Sequence, residues 1–292
     1  MKHDIVMDTH CHLEFLKRKF YRVNSLEDTF IYDGEDLGNF VGAIVNFCQP
    51  REWSSGAKLN KVSNLLRNSA RDPKCGITIG CHPHFADNMN EERWKQFENL
   101  ISSPSPKFPW LRVVALGECG LDYSPKNKVS KATQIKVFTR QLQIAMKYRI
   151  PVVIHIRDAE KDGLKVMEDV GVPDDFPIHR HCFSGDLKDA EAWLSKYSEC
   201  KLGFTGLVTY SSATKVREVV ENVEADKILL ETDAPYFVPE LLKKKFKFSL
   251  PRHVVYVAEE ISKIKKISLQ EVLFNNFNNS QIIYKRFFEQ IN

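Results

Sequence analysis

The chain has 292 residues, 43% of them apolar and 11% aromatic, with a formal net charge of +4. That is enough apolar material for a large core, which excludes a largely disordered chain, and no apolar run approaches the roughly 20 residues of a bilayer-crossing helix. The mild positive charge permits a polyanionic partner without demanding one, and seven scattered cysteines fit reduced thiols better than a disulfide framework.

The opening MKHDIVMDTHCHLE carries no secretory hydrophobic segment and enters a strand at once. A soluble protein of the cytoplasm or nucleus is expected, with no membrane and no obligate protein partner. Short β-rich runs then alternate with amphipathic ones along the whole chain. Strands are expected at Ile5–Asp8 and Val41–Phe47, followed by a helix over Lys58–Ala70. A strand at Gly76–Gly80 precedes a helix at Glu91–Ile101, whose Trp94, Phe97 and Leu100 share one face. A strand at Val113–Gly117 precedes a helix at Lys131–Tyr148, with Ile135, Phe138, Leu142 and Ala145 on its stripe. The pairs Val152–His155 with Gly163–Val170, Pro177–His181 with Leu187–Tyr197, and Leu202–Thr205 with Ala213–Val223 repeat the pattern. The last strand, Ile228–Glu231, is followed by helices over Leu250–Lys265 and Leu269–Phe288. Eight strand–helix units with crossovers long enough for parallel pairing predict one α/β domain over residues 1–292, a (β/α)8 barrel. An open doubly wound sheet is the structural alternative.

Six of the nine histidines stand where these runs end: His10, His12, His82, His84, His155 and His181. Glu118 and Asp233 end two more. In a barrel of this kind the strand C-termini form the active-site face. His10 and His12, two apart on a strand, face the same side and can bind one ion. Asp8 shares their alternation and could orient a ring. Glu118 could bridge two cations through its two oxygens, and His155 and His181 could hold a second. Asp233, directly after a buried strand, is costly unless paired or metal-bound. Imidazole and carboxylate donors suit zinc, manganese or magnesium. Two ions about 3.5–4 Å apart would activate water and clamp the leaving oxygens of a phosphodiester. Cys11 and Cys182 adjoin ligands, and alternation should turn both away from the mouth as packing residues.

These segments resemble the TatD family of metal-dependent deoxyribonucleases, among the amidohydrolase-like barrels. The resemblance rests on Asp8-Thr-His-Cys-His-Leu13, Gly80-Cys-His-Pro-His84, Leu116-Gly-Glu-Cys-Gly-Leu-Asp122, His155-Ile-Arg-Asp-Ala159, His181-Cys-Phe-Ser-Gly185 and Glu231-Thr-Asp-Ala-Pro-Tyr236. It implies that His10, His12, Glu118 and Asp233 hold a first ion, and that Glu118, His155 and His181 hold a second. It implies His82 as a contact to the scissile phosphate, with His84 and Arg157 as phosphate-binding or supporting groups. The activity implied is two-metal hydrolysis of DNA, and of RNA as a further substrate, as a 3′-exonuclease on single strands. Glu118, Asp233 and His82 would be catalytic, Asp233 accepting a proton from the attacking water.

Two stretches depart from the family pattern. Glu14–Gly38 is long and rich in Lys, Arg and aromatics, and Lys243-Lys-Lys-Phe-Lys-Phe248 stands where the family commonly has an Arg-Asn-Glu-Pro-like stretch. The clusters Lys17-Arg18-Lys19, Lys126/Lys128 and Lys243–Lys247 could track a phosphate backbone, and Tyr236, Phe237, Phe246 and Phe248 could stack bases. Hydrolysis of a small cyclic amide or ester, and a catalytically silent nucleic-acid-binding scaffold, are the alternatives.

Overall fold

The computed structural model describes residues 5–19, 39–54, 74–102 and 113–289. The helix expected over Lys58–Ala70, the side chains of Lys17-Arg18-Lys19 and most of Glu14–Gly38 lie outside the described residues. Eight parallel strands run in chain order around one sheet: β1 Ile5–Cys11, β2 Asn39–Phe47, β3 Lys74–Ile79, β4 Val113–Asp122, β5 Val152–Arg157, β6 Ile178–Arg180, β7 Cys200–Phe204 and β8 Ile228–Leu230. The described helices are α1 Leu13–Lys19, α2 Pro50–Trp53, α3 Glu91–Ser102, α4 Lys131–Tyr148, α5 Glu160–Val170, α6 Leu187–Lys196, α7 Thr214–Asn222, α8 Val254–Lys265, α9 Leu269–Ile283 and α10 Lys285–Phe288. None of the described helices is long and apolar enough to cross a membrane.

The sheet closes between β1 and the segment after β8. Asp233 N donates to His10 O at 2.9 Å, and His12 N donates to Ala234 O at 2.8 Å. The Asp8 carboxylate ties the same seam, accepting from Thr232 N at 2.9 Å and Thr232 Oγ1 at 2.6 Å. Asp8 therefore serves the closure of the barrel.

Parallel strands covered on both faces read as unbroken apolar runs, and the two faces separate here into two cores. The outer one lies between strands and helices. In α4, Val137, Phe138, Leu142 and Ala145 are buried against it, and each large apolar side chain so buried contributes about 1.5–3 kcal/mol. Ser130 caps this helix by accepting from Thr133 N, and the chain leaves it through Arg149 at φ 47°. The inner core fills the lower barrel with Met7, Ile44, Val114, Val153 and Leu229. Ile283, Tyr284, Phe287 and Phe288 pack against these from the chain's last helices. The single C-terminal helix expected over Leu269–Phe288 is thus two, broken at Tyr284 so that α10 can turn into the floor.

Two strands carry irregularities that aim side chains. On β1, Asp8 and Cys11 pair with Ala43 and Val45, so Thr9 and His10 together face Ile44. On β4, Gly117 and Cys119 pair with the consecutive Val153 and Ile154, leaving Glu118 as the extra residue. Bulges of this kind re-aim a side chain at the rim of a barrel. Strand β4 therefore runs on to Asp122, past the Gly117 end expected from sequence. Gly117 and Gly120 adopt φ of 152° and 146°, and a Cβ at Gly120 would run into the His155 carbonyl.

Candidate metal centre

Seven of the nine expected residues meet around the Glu118 carboxylate at the C-terminal mouth of the barrel. Glu118 Oε1 stands 3.4 Å from His10 Nε2 and 3.1 Å from His12 Nε2. Its other oxygen, Oε2, is 3.5 Å from His155 Nδ1, 3.5 Å from His181 Nε2 and 4.0 Å from His82 Nε2. Asp233 Oδ1 faces His12 Nε2 at 3.2 Å and His10 Nε2 at 3.7 Å. It is buried and takes no hydrogen bond from the described residues. Asp233 also sits at φ 51°, a conformation that costs a non-glycine residue on the order of 1 kcal/mol or more.

The partner on the far side of each ring decides which nitrogen keeps a lone pair. His12 Nδ1 lies 3.2 Å from the Asn46 carbonyl, which can only accept, so the Nδ1 proton goes there and Nε2 is open. The Glu231 carboxylate stands 3.1 Å from His181 Nδ1, so in the neutral ring the proton is favoured there and Nε2 is left open. His155 Nε2 faces Asp122 Oδ2 at 3.4 Å, and its Nδ1 is open toward Glu118. Metal-binding histidines are held in this way by a carboxylate or carbonyl behind them. His82 is the opposite case. Its Nδ1 accepts from His84 N at 3.1 Å, so the neutral ring carries its proton on Nε2. His82 thereby turns a donor toward the centre, and a nitrogen of its ring also lies within 4.8 Å of ligand atoms of Glu118 and His155.

Electrostatics follow the same geometry. Burial works against charge on Glu118, yet the His181 and His10 rings outweigh it and hold this carboxyl well below its ordinary range. Burial would also lower His181, but the Glu231 and Glu118 carboxylates raise it to about 9. His10, stacked on His181 with ring centroids 3.5 Å apart, is lowered to about 4 by burial and then by the His181 charge. The stacked pair thus carries one positive charge, on His181. The donor set fits divalent ions: buried histidine lone pairs and carboxylate oxygens converge from several strands.

His84 and Arg157 stand at the edge. His84 Nε2 is 2.9 Å from Asp122 Oδ2, so Asp122 serves both His84 and His155. Arg157 shares the side of β5 that carries His155 and is exposed at the strand's end. Cys11 is buried, with its thiol toward Ile44 O, as expected. Cys182 departs from expectation. It lies past the end of β6 at φ 46°, where strand alternation no longer applies, and its sulfur is within 4.8 Å of ligand atoms of His181 and Glu231. All seven cysteines are free thiols. Among the expected stacking aromatics, Tyr236 is 45% exposed and 6.3 Å from the His12 ring, whereas Phe246 is buried against His253. Lys243 is occupied by Glu240 and the Tyr210 ring.

Sequence reading did not assign four residues that support the centre: Asp122, His179, Glu231 and Tyr284. Glu231 Oε2 lies 2.8 Å from His179 Nε2, and His179 Nδ1 lies 2.6 Å from Tyr284 OH. The signal for His179 was present in the run IHRH, where it alternates with His181 on one strand face. Arg180, between them, points the other way. It donates to His181 O at 2.8 Å and pairs with Glu160 at 2.6 Å, which fixes the backbone at the ligand.

Comparison with known proteins gives a consistent picture. The model of the TatD related DNase family matches residues 7–285. A human protein named 3′-5′ RNA nuclease TATDN2 is 34% identical over 284 residues, 95% of this chain and 35% of that protein. The chain thus spans about a third of that relative's length. A Cronobacter turicensis protein named 3′-5′ ssDNA/RNA exonuclease TatD is 34% identical over 195 residues, 65% of this chain and 69% of that one. Among solved structures, YJJV, a TatD homolog from Escherichia coli K12, superposes with a TM-score of 0.75 at 23% identity. It covers 96% of this chain and 97% of its own, which supports the barrel fold.

Proposed function

Since the chain belongs to the TatD-related DNase family, we propose that it is a metal-dependent nuclease that hydrolyses phosphodiester bonds of single-stranded DNA or RNA from the 3′ end. We take residues 1–292 as one catalytic barrel domain, acting in the cytoplasm or nucleus. The observation that carries the reading is the convergence of four histidine nitrogens on the two oxygens of Glu118, beside an Asp233 oxygen that takes no hydrogen bond.

His10, His12, Glu118 and Asp233 would hold one divalent ion, and Glu118, His155 and His181 a second, with magnesium, manganese or zinc as candidates. Bound there, the ions supply Lewis-acid stabilisation and lower the pKa of water to near neutrality. Asp233 Oδ1 accepts the proton of the attacking water. His82 donates from Nε2 to a non-bridging phosphate oxygen, which stabilises charge as it develops. Arg157, exposed beside the centre, meets the same phosphate or its neighbour. The bulge at Glu118 aims its carboxylate into the mouth among the histidines.

The test uses DNA and RNA oligonucleotides labelled at either end, with magnesium, manganese and zinc separately and Asp233→Ala as control. A metal-dependent ladder that shortens from the 3′ end and is absent in the variant is the expected result. No cleavage of either polymer in any metal would sink the reading and leave the small-ester or amide hydrolase and the silent scaffold. Metal analysis of the purified protein would then separate those two.

A further inference from the structure

Beneath the metal centre the barrel is crossed by a buried polar column that ends on the C-terminal plug. Its members come from three places in the fold: His179 on β6 with His181 just past it, Glu231 just past β8, and Tyr284 between α9 and α10. All four are at most 2% exposed. Glu231 Oε1 receives Cys182 N at 2.6 Å and faces His181 Nδ1 at 3.1 Å. Glu231 Oε2 faces His179 Nε2 at 2.8 Å, and His179 Nδ1 meets Tyr284 OH at 2.6 Å. Gly203 on β7 leaves the room: a Cβ there would come within 2.6 Å of Glu231 Oε2 and closer still to His179 Nε2.

The two Glu231–histidine contacts are close without forming aligned hydrogen bonds, and the charge of the carboxylate decides which ring nitrogens facing it carry protons. A carboxylate can only accept, so His179 carries its proton on Nε2 and His181 carries one on Nδ1. In that tautomer His179 Nδ1 has a lone pair, to which the Tyr284 hydroxyl at 2.6 Å can donate. The alternative acceptor for that hydroxyl, Thr9 O, is farther at 3.3 Å. A buried carboxylate is costly unless compensated; Glu231 has one donor in Cys182 N and otherwise relies on the two imidazoles beside it.

We propose that Glu231, His179 and Tyr284 are positioning residues that fix the proton of His181 on Nδ1 and so keep its Nε2 open as a metal ligand. The proposal rests on the metal-centre reading above. It makes the floor plug, through one hydroxyl, part of the machinery at the mouth.

Calorimetric titration with manganese and zinc, on the wild type, Glu231→Gln and Tyr284→Phe, tests it. Ring 15N spectra of the zinc-loaded proteins report which nitrogen of His181 carries the proton. Tyr197→Phe, which removes another buried hydroxyl outside the column, is the control. Glu231→Gln is expected to weaken one of the two ions about 10–100-fold. Tyr284→Phe is expected to weaken the same ion several-fold, with Tyr197→Phe unchanged. Wild-type His181 should show its proton on Nδ1. Wild-type affinity in both variants, or a His181 proton on Nε2, would overturn the column while leaving the metal centre standing. A wild type that binds neither ion would overturn the metal centre itself. If Glu231→Gln does not fold, Tyr284→Phe alone decides, since it keeps the packed ring.

Discussion

The lower and upper halves of the barrel interior are equally buried and chemically opposite. Below, Met7, Ile44, Val114, Val153 and Leu229 are sealed by Phe287 and Phe288. Above, on several of the same strands, His10, Glu118 and His181 are no more than 3% exposed, and His155 is half-buried beside them. A few residues along a strand change burial from a gain into a cost. Apolar side chains leaving water stabilise the fold. Ionisable ones must find a charge, a donor or an ion in compensation. The lower half therefore holds the scaffold together, and the upper half spends part of that stability on a rigid ligand cage.

Substitutions in the two halves should separate stability from activity. Glu118→Ala removes the oxygens on which both ligand groups converge, and cleavage should fall by about 10³-fold or more, with metal binding lost in titration. Retained binding of both ions would contradict the bridging role. Phe287→Ala, at the floor, should cost about 3–5 kcal/mol of unfolding free energy. Denaturant melts should show this, while turnover of the remaining folded protein stays near wild type. A lost turnover at unchanged stability would erase the distinction between the halves. His82→Ala should lower kcat by about 10²-fold and leave both metal affinities unchanged, because its open nitrogen carries a proton. A lost ion would instead make His82 a ligand.

The smallest of these effects is in pH. His181 is raised to about 9 because Glu231 and Glu118 outweigh its burial. In chelator-stripped protein its charged form stabilises the fold fully below the unfolded value near 6.5, and that stability is lost as pH rises through about 9. An ion must displace this proton, so affinity at that site should rise by up to about tenfold per pH unit between 7 and 9. Calorimetry in buffers of different ionisation enthalpy would count the proton released. A flat pH profile would mean that His181 is already neutral at pH 7.

Much of the fold was legible because each unit announces itself twice, by an apolar strand run and a helical stripe. The expected Lys131–Tyr148 helix is matched residue for residue, and Val152 and Ile228 begin their strands as read. The break at Tyr284 was not legible, since no proline or glycine marks it. The ligand set was read from histidines and acids at strand ends, together with the family resemblance, and the geometry gathers it. Glu118 was read as following its strand. Gly117 and Gly120 look like turn residues in sequence, yet here they allow a bulge inside the strand. Glu231 and His179 stayed hidden for another reason. Parallel strands are apolar on both faces, so pattern alone does not tell which polar residue points inward.

One consequence lies in the seam. The joint that turns eight strands into a ring runs through the backbones of His10, His12 and Asp233 and through the Asp8–Thr232 clasp. Three of those residues are also proposed to grip the first ion. An occupied centre would then act as a rivet across the closing edge, and stripping it would loosen the ring where it was last fastened. Amide exchange at His12 and Asp233 should accelerate on chelation more than at strands on the opposite wall, making the gap between β1 and β8 the place where this barrel begins to open.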